Sequence, residues 1–261
     1  MNKAILATLF VAFSGVAAFG QDNVPPVIAL PGSVNASFGN VGSLEPGNVV
    51  GGTTIEQGVT VWRRGSLFVA GFCDVGVRGD SLGYAWNNNV TYLTGGKVVV
   101  AGRAGVLQAA AGVTGAAHGE TASKGATPAG HLSYWAGWHR DAGAVQLPGS
   151  VWATSGITAA TEPDNWITSA HMEQGVAVKR VGRVAMVPFA AVTATSDSRN
   201  RPWNNRGLLD AGIKLTTHVG TAAIDAGVAQ RATRQWHGGS GGAAPIAFVN
   251  VWLGWMPHVT R

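Results

Sequence analysis

An all-β chain is expected, an antiparallel closed barrel of about twelve strands built from two internal repeats of ~117 residues. Three observations carry that expectation. The stretch from Pro148 to Gly182 rewrites Pro31 to Gly65 at a constant offset of 117 residues. Hydrophobicity alternates with period two, and no segment shows capped apolar spacing at i, i+3 and i+4. The alternating segments run to about 10–15 residues, longer than ordinary globular strands and close to what a tilted strand needs to cross a bilayer.

Taken in order, residues 1–20 read as a secretory signal: Lys3, an apolar run from Ala4 to Phe13, then the small residues Ala18 and Gly20. Residues 21–30 form an extended leader, because Pro25-Pro26 excludes a helix. Residues 31–147 and 148–261 are the two repeats, each a half-barrel. The offset recovers Pro31-Gly32-Ser33-Val34, Glu45-Pro46, Asn48 and Glu56-Gln57-Gly58-Val59. It then pairs Asp80-Ser81 with Asp197-Ser198, Trp86-Asn87-Asn88 with Trp203-Asn204-Asn205, and Lys97 with Lys214. Trp135-Ala-Gly137-Trp138 pairs with Trp252-Leu-Gly254-Trp255.

Six strands are expected per repeat, in the second at about 149–161, 165–180, 183–196, 206–217, 221–234 and 246–256. Each has an apolar row and a mixed row. Leu67, Val69, Cys73, Val75 and Val77 alternate with Phe72, Asp74, Arg78 and Asp80, and the second copy keeps the same assignment. A one-residue slip would turn every side chain over, so the shared assignment fixes register in both halves. An even strand number also sets Arg63-Arg64-Gly65 and Lys179-Arg180-Val181-Gly182 on one rim, and the longer connections after Asp80 and Asp197 on the other.

Composition narrows the function. Charged residues are only 12%, Trp is 10 of 261, and the one cysteine, Cys73, forbids an internal disulfide. The formal charge of +5 is spread along the chain without a basic stripe, so nucleic acid is not an expected partner. His118 and His131 lack a second ligand pair, which leaves no metal site and no cofactor. No G-x-S-x-G elbow places a nucleophile, and no catalytic residue is assigned.

Two groups of residues are candidates for binding. Asp80, Trp86, Asn87 and Asn88, with their counterparts Asp197, Trp203, Asn204 and Asn205, offer a carboxylate, two amides and an indole. That set suits a hard cation or sugar hydroxyls; it equally suits an Asx-type turn with Trp at the lipid headgroups. Glu56 and Glu173 on the mixed face either line a pore or pair with a base. Lys97, Lys214, Arg78 and Arg183 predict a positive lumen that favours anionic solutes or sugar-acid polymers. Trp135, Trp138, Trp252 and Trp255 read as an aromatic girdle.

The signal, the alternation and the Trp residues near strand ends together resemble Gram-negative outer-membrane β-barrels. Glu-Gln-Gly-Val, Asp-Ser…Trp-Asn-Asn and the phrase from Gly212 to Leu215 are similar to the C-terminal barrels of exopolysaccharide-secretion and phage-adsorption proteins. The resemblance implies an outer-membrane address, with lipid and the barrel-assembly machinery as partners. It implies a non-enzymatic pore or surface component, in exopolysaccharide export or adhesion. The alternative is a secreted, soluble pair of tandem β-sandwiches, an adhesin or matrix subunit, which would hide the apolar rows inside each repeat.

Overall fold

The computed structural model describes residues 28–119, 125–143, 145–157, 162, 164–236, 241–255 and 258–259. The signal and most of the leader expected from the sequence lie outside these residues. Twelve long strands build the wall. They are β1 (Gly32–Asn40), β2 (Val49–Arg64), β3 (Leu67–Asp80), β4 (Asn89–Gly102), β5 (Gly105–His118) and β6 (Thr127–Ala142). The second half supplies β7 (Val145–Ile157), β8 (Ile167–Gly175, continued by Lys179–Val181), β9 (Val184–Asp197), β10 (Arg206–Val219), β11 (Ala222–Gln235) and β12 (Gly242–Trp255).

Each strand pairs antiparallel with the next, and β12 pairs with β1 from Phe248↔Gly39 to Trp255↔Gly32. The sheet is therefore one closed cylinder with no free edge. This excludes the tandem sandwiches: the apolar rows do not share an interior within each repeat. Among the described residues the single helical turn is Gly42–Leu44. No helix there is long and apolar enough to cross a membrane, so any crossing falls to the strands.

Turn length sorts by rim. β2–β3, β4–β5, β6–β7, β8–β9 and β10–β11 are joined by two residues each, while the other rim carries connections such as 41–48, 81–88 and 198–205. Gly65, Gly143, Gly182 and Gly220 adopt positive φ in the short turns, a conformation that tight hairpins demand and a side chain opposes. The start of β1 and the end of β12 lie on the short-turn rim. There, Ile28–Ala29 pairs with His258–Val259 as a small ribbon. Pro31 follows it and packs on Gly58, whose N–H donates to the Pro31 carbonyl at 2.7 Å.

Alternation decides which row meets which medium. On the outside stand Val77, Val98, Leu132, Met172, Val192, Ile213 and Leu215, with Val228 exposed by 61%. The other row turns inward: Phe72 is 3% exposed, Lys97 5% and Val187 2%. Phe72, Leu93, Ala110 and Ala129 form one buried lumenal cluster, and Phe189, Ala191, Ala229 and Ile246 a second, joined by Phe248. The lumen at this height is packed with side chains.

Candidate functional site in the lumen and the long-loop rim

The sequence-predicted residues fall into two places. Glu56, Glu173, Lys97 and Lys214 meet inside the barrel. Lys97 Nζ lies 2.5 Å from Glu56 Oε1, reaching across β3, and 5.1 Å from the centre of the Phe72 ring. Lys214 Nζ lies 2.6 Å from Glu173 and 2.7 Å from Asp225, and 5.5 Å from the Phe189 ring. Arg231 adds a bidentate pair with Asp210, both contacts at 2.7 Å.

The expectation of a positive lumen is corrected by this geometry. Both lysines are clamped by acids, and Arg231 is held by Asp210, so each of these inward bases is paired. Arg78 keeps the inward row but sits exposed at the loop mouth of β3, near Arg206, whereas Arg183 lies in the two-residue turn before β9, outside the lumen. A buried base is stable only when paired, so these lysines hold the wall's interior together and present no free charge to an anion.

The repeated Asp and Trp-Asn-Asn residues form a knot at the long-loop rim. Asp80 Oδ1 accepts from the Tyr84 N–H at 3.0 Å and the Asn88 amide at 2.9 Å; Oδ2 accepts from Asn48 and Asn87, both at 2.9 Å. Glu45 accepts from Asn48, from Asn87 at 3.0 Å and from the Trp86 indole at 3.2 Å. The second knot repeats the plan. Asp197 accepts from Arg201 N–H, Asn205, Asn165 and Asn204 at 2.8–3.0 Å, and Glu162 from Asn165, Asn204 and Trp203.

Four donors fill the lone pairs of each Asp carboxylate, so the hard-cation reading loses its ligands and the loop-closing reading stands. Burial works to raise the Asp197 pKa, but the amides of Asn165, Asn204 and Asn205 and the Arg201 N–H outweigh it. They hold the carboxyl well below the usual carboxylate range. Asp80 behaves alike, with Asn87, Asn48, Asn88 and the Tyr84 N–H overcoming desolvation. The indoles stay on the surface: Trp86 stacks on Tyr84 at 4.5 Å, and Arg201 covers Trp203 at 5.5 Å. Glu45 and Asn48, with Glu162 and Asn165, were not predicted as site residues; their recurrence at the common offset was the signal that they belong.

The aromatic girdle is corrected in part. Trp138 and Trp255 lie on the outer row, donating to Gln174 at 3.1 Å and Gln57 at 3.3 Å and lying over Gly149 and Gly32. Trp135 and Trp252 share the inward row with Ser133 and Asn250, near the short-turn rim. His139 and His218 also approach there, with ring centroids 6.3 Å apart across the barrel.

One cavity of about 400 Å³ opens within the first half of the lumen, beside Asp74, Thr91 and His131. Among the described residues no group of His, Cys, Asp and Glu is placed to hold a metal ion.

No family model and no curated protein matches this chain. Solved structures do. The chain is similar to the β domain of the Bordetella autotransporter Brka (13% identity, 86% of this chain and 98% of that one, TM-score 0.38). It is similar to an outer membrane channel from Pseudomonas putida F1 (7% identity, 91% and 100%, TM-score 0.44) and to a bacterial polysaccharide outer membrane secretin (10% identity, 89% and 100%, TM-score 0.39). The chain's own geometry places it. Strands of 14 residues at the usual tilt rise roughly 36 Å, enough for the apolar band and its two interfaces. Edgeless, apolar outside, polar and charged inside, with short turns on one rim and loops on the other, it is a β-barrel of the outer membrane.

Proposed function

We propose that this barrel is a non-enzymatic pore for small solutes. The observation that supports the reading is the contrast between its two faces: an exterior built for lipid around a lumen that carries paired charges and a polar cavity. Packing at mid-height by Phe72, Phe189 and the clamped lysines makes the passage narrow. The pairing of Lys97, Lys214 and Arg231 with acids leaves little free charge at mid-height, which suits neutral solutes.

Planar-bilayer recording of the refolded protein tests this. The expected result is small conductance steps that grow when Phe72 and Phe189 are both changed to Ala. A wild type and double variant that are both silent would sink the pore.

A second reading is a surface component with a closed lumen, acting in adhesion. The exposed Trp86–Tyr84 stack and the Arg201–Trp203 pair on the loop rim favour it. Export of an exopolysaccharide is a wide-bore form of the first reading and requires the lumenal ion pairs to part during passage. Large conductance steps under an applied polymer gradient would support it.

A further inference from the structure

We infer that the cavity in the first half of the lumen is a binding site for a neutral polyhydroxylated solute of about monosaccharide size. The inference names the solute class for the pore proposed above and rests on that reading.

The two halves of the barrel place residues 117 apart at corresponding points of the wall, yet fill the lumen differently. In the second half, His171 bonds Thr193 at 2.8 Å, Asp210 is locked to Arg231, and Phe248 stands edge-on to Phe189 at 5.8 Å. The corresponding residues of the first half are Thr54, Gly76, Leu93, Thr114 and His131. Most are smaller or cannot make those bonds, and a cavity of about 400 Å³ remains where the other half is occupied. That volume falls in the range of small-molecule sites.

The cavity is also left with unmet hydrogen-bonding capacity. Asp74 and His131 border it; His131 Nδ1 is buried without a hydrogen-bond partner, while the Asp74 carboxyl lies against that of Glu56. An unpaired buried polar atom is costly, and a cavity bordered by one is adapted to something that supplies the partner. The Gln108 amide nitrogen lies 3.4 Å from His131 Nε2; as donor to it, that amide leaves Nδ1 to carry the proton of the neutral ring. Asp74 supplies an acceptor. The hydroxyls of Thr54, Thr91, Ser133 and Thr154 supply both.

Chemistry then selects the ligand. A carboxylate or phosphate would meet the Asp74–Glu56 carboxyl pair, a bare cation would meet the imidazole N–H, and an apolar solute would leave the imidazole unpaired. A molecule with several hydroxyls donates to Asp74, accepts from His131 and matches the surrounding threonines. Hydrogen bonds to hydroxyls without a charge pair predict weak, readily reversible binding, as a conducting site needs.

The test is calorimetric titration of the detergent-refolded barrel with D-glucose, myo-inositol and glucose 6-phosphate. Saturable millimolar binding of at least one neutral probe is expected, with glucose 6-phosphate at least tenfold weaker. The triple variant T54H/G76T/H131F installs the residues that stand at the corresponding positions of the second half. It is expected to keep the heat-resistant gel migration of the folded barrel and to lose binding at least tenfold. No saturable binding by the folded wild type, equal or tighter binding of glucose 6-phosphate, or undiminished binding by the folded triple variant would each overturn the site. Binding without conductance would retain the site and remove the pore; conductance without binding would do the reverse.

Discussion

The Asp197 carboxylate accepts four N–H groups, so its removal leaves each of three Asn amides one acceptor short in a buried knot. Asp197→Ala should lower the unfolding temperature of the refolded barrel by several degrees, with Asp80→Ala acting in the same direction. The pH dependence has a definite sign. Both folded pKa values lie below the unfolded value of about 3.9, so their stabilisation is complete above that pH and fades as pH falls through the folded values. Trp86 and Trp203 fluorescence should therefore be flat from neutrality to about pH 4 and change below it. Within the lumen, Lys97→Met leaves the partly buried Glu56 without its base, at a cost of about 1–3 kcal/mol in denaturant unfolding. The double variant K97M/E56M should recover most of that loss, because the pair owes its stability to mutual compensation.

At the scale of strands and turns, the repeated phrases mark the places where strands are tied to one another. Trp255 on β12 reaches Gln57 on β2 and covers Gly32 on β1, so it pins the seam where the cylinder closes. Trp138 makes the same reach to Gln174 within the run of consecutive strands. Trp255→Ala should therefore slow closure and lower heat resistance more than Trp138→Ala, as read by gel migration after refolding. Facing matters as much as pairing. Val228, halfway along β11 and exposed to lipid, should cost about 2–4 kcal/mol when replaced by Lys. These ties were half legible. Trp-x-Gly-Trp, Glu-Gln-Gly-Val and Glu-Pro…Asn all recurred, but recurrence does not say which phrase touches which, since the contacts join residues 32 to 198 positions apart.

For the whole barrel, an edgeless sheet whose strands are each paired on both sides resists detergent until heated. The prediction is recovery from the outer-membrane fraction and a shift in gel mobility on boiling; recovery in a soluble fraction would contradict the assignment. The two lumenal halves give a second expectation at this scale. They should differ in solute contact, because Arg231, Asp210 and Phe248 close one while the polar cavity opens in the other.

Strand number, facing rows and the rim that carries each loop were set by the sequence alone, because a period of two leaves only one row apolar and a membrane wall must turn that row outward. Arg78 and Arg183 show where such reading stops: periodicity assigns a face but not a height, and one lies near the loop mouth while the other lies in a turn. Lumenal charge balance belonged to the tertiary structure. Lys97 meets Glu56 over an intervening strand, and Lys214 meets Glu173 and Asp225, so the sign of the interior depended on neighbours brought together only by closure.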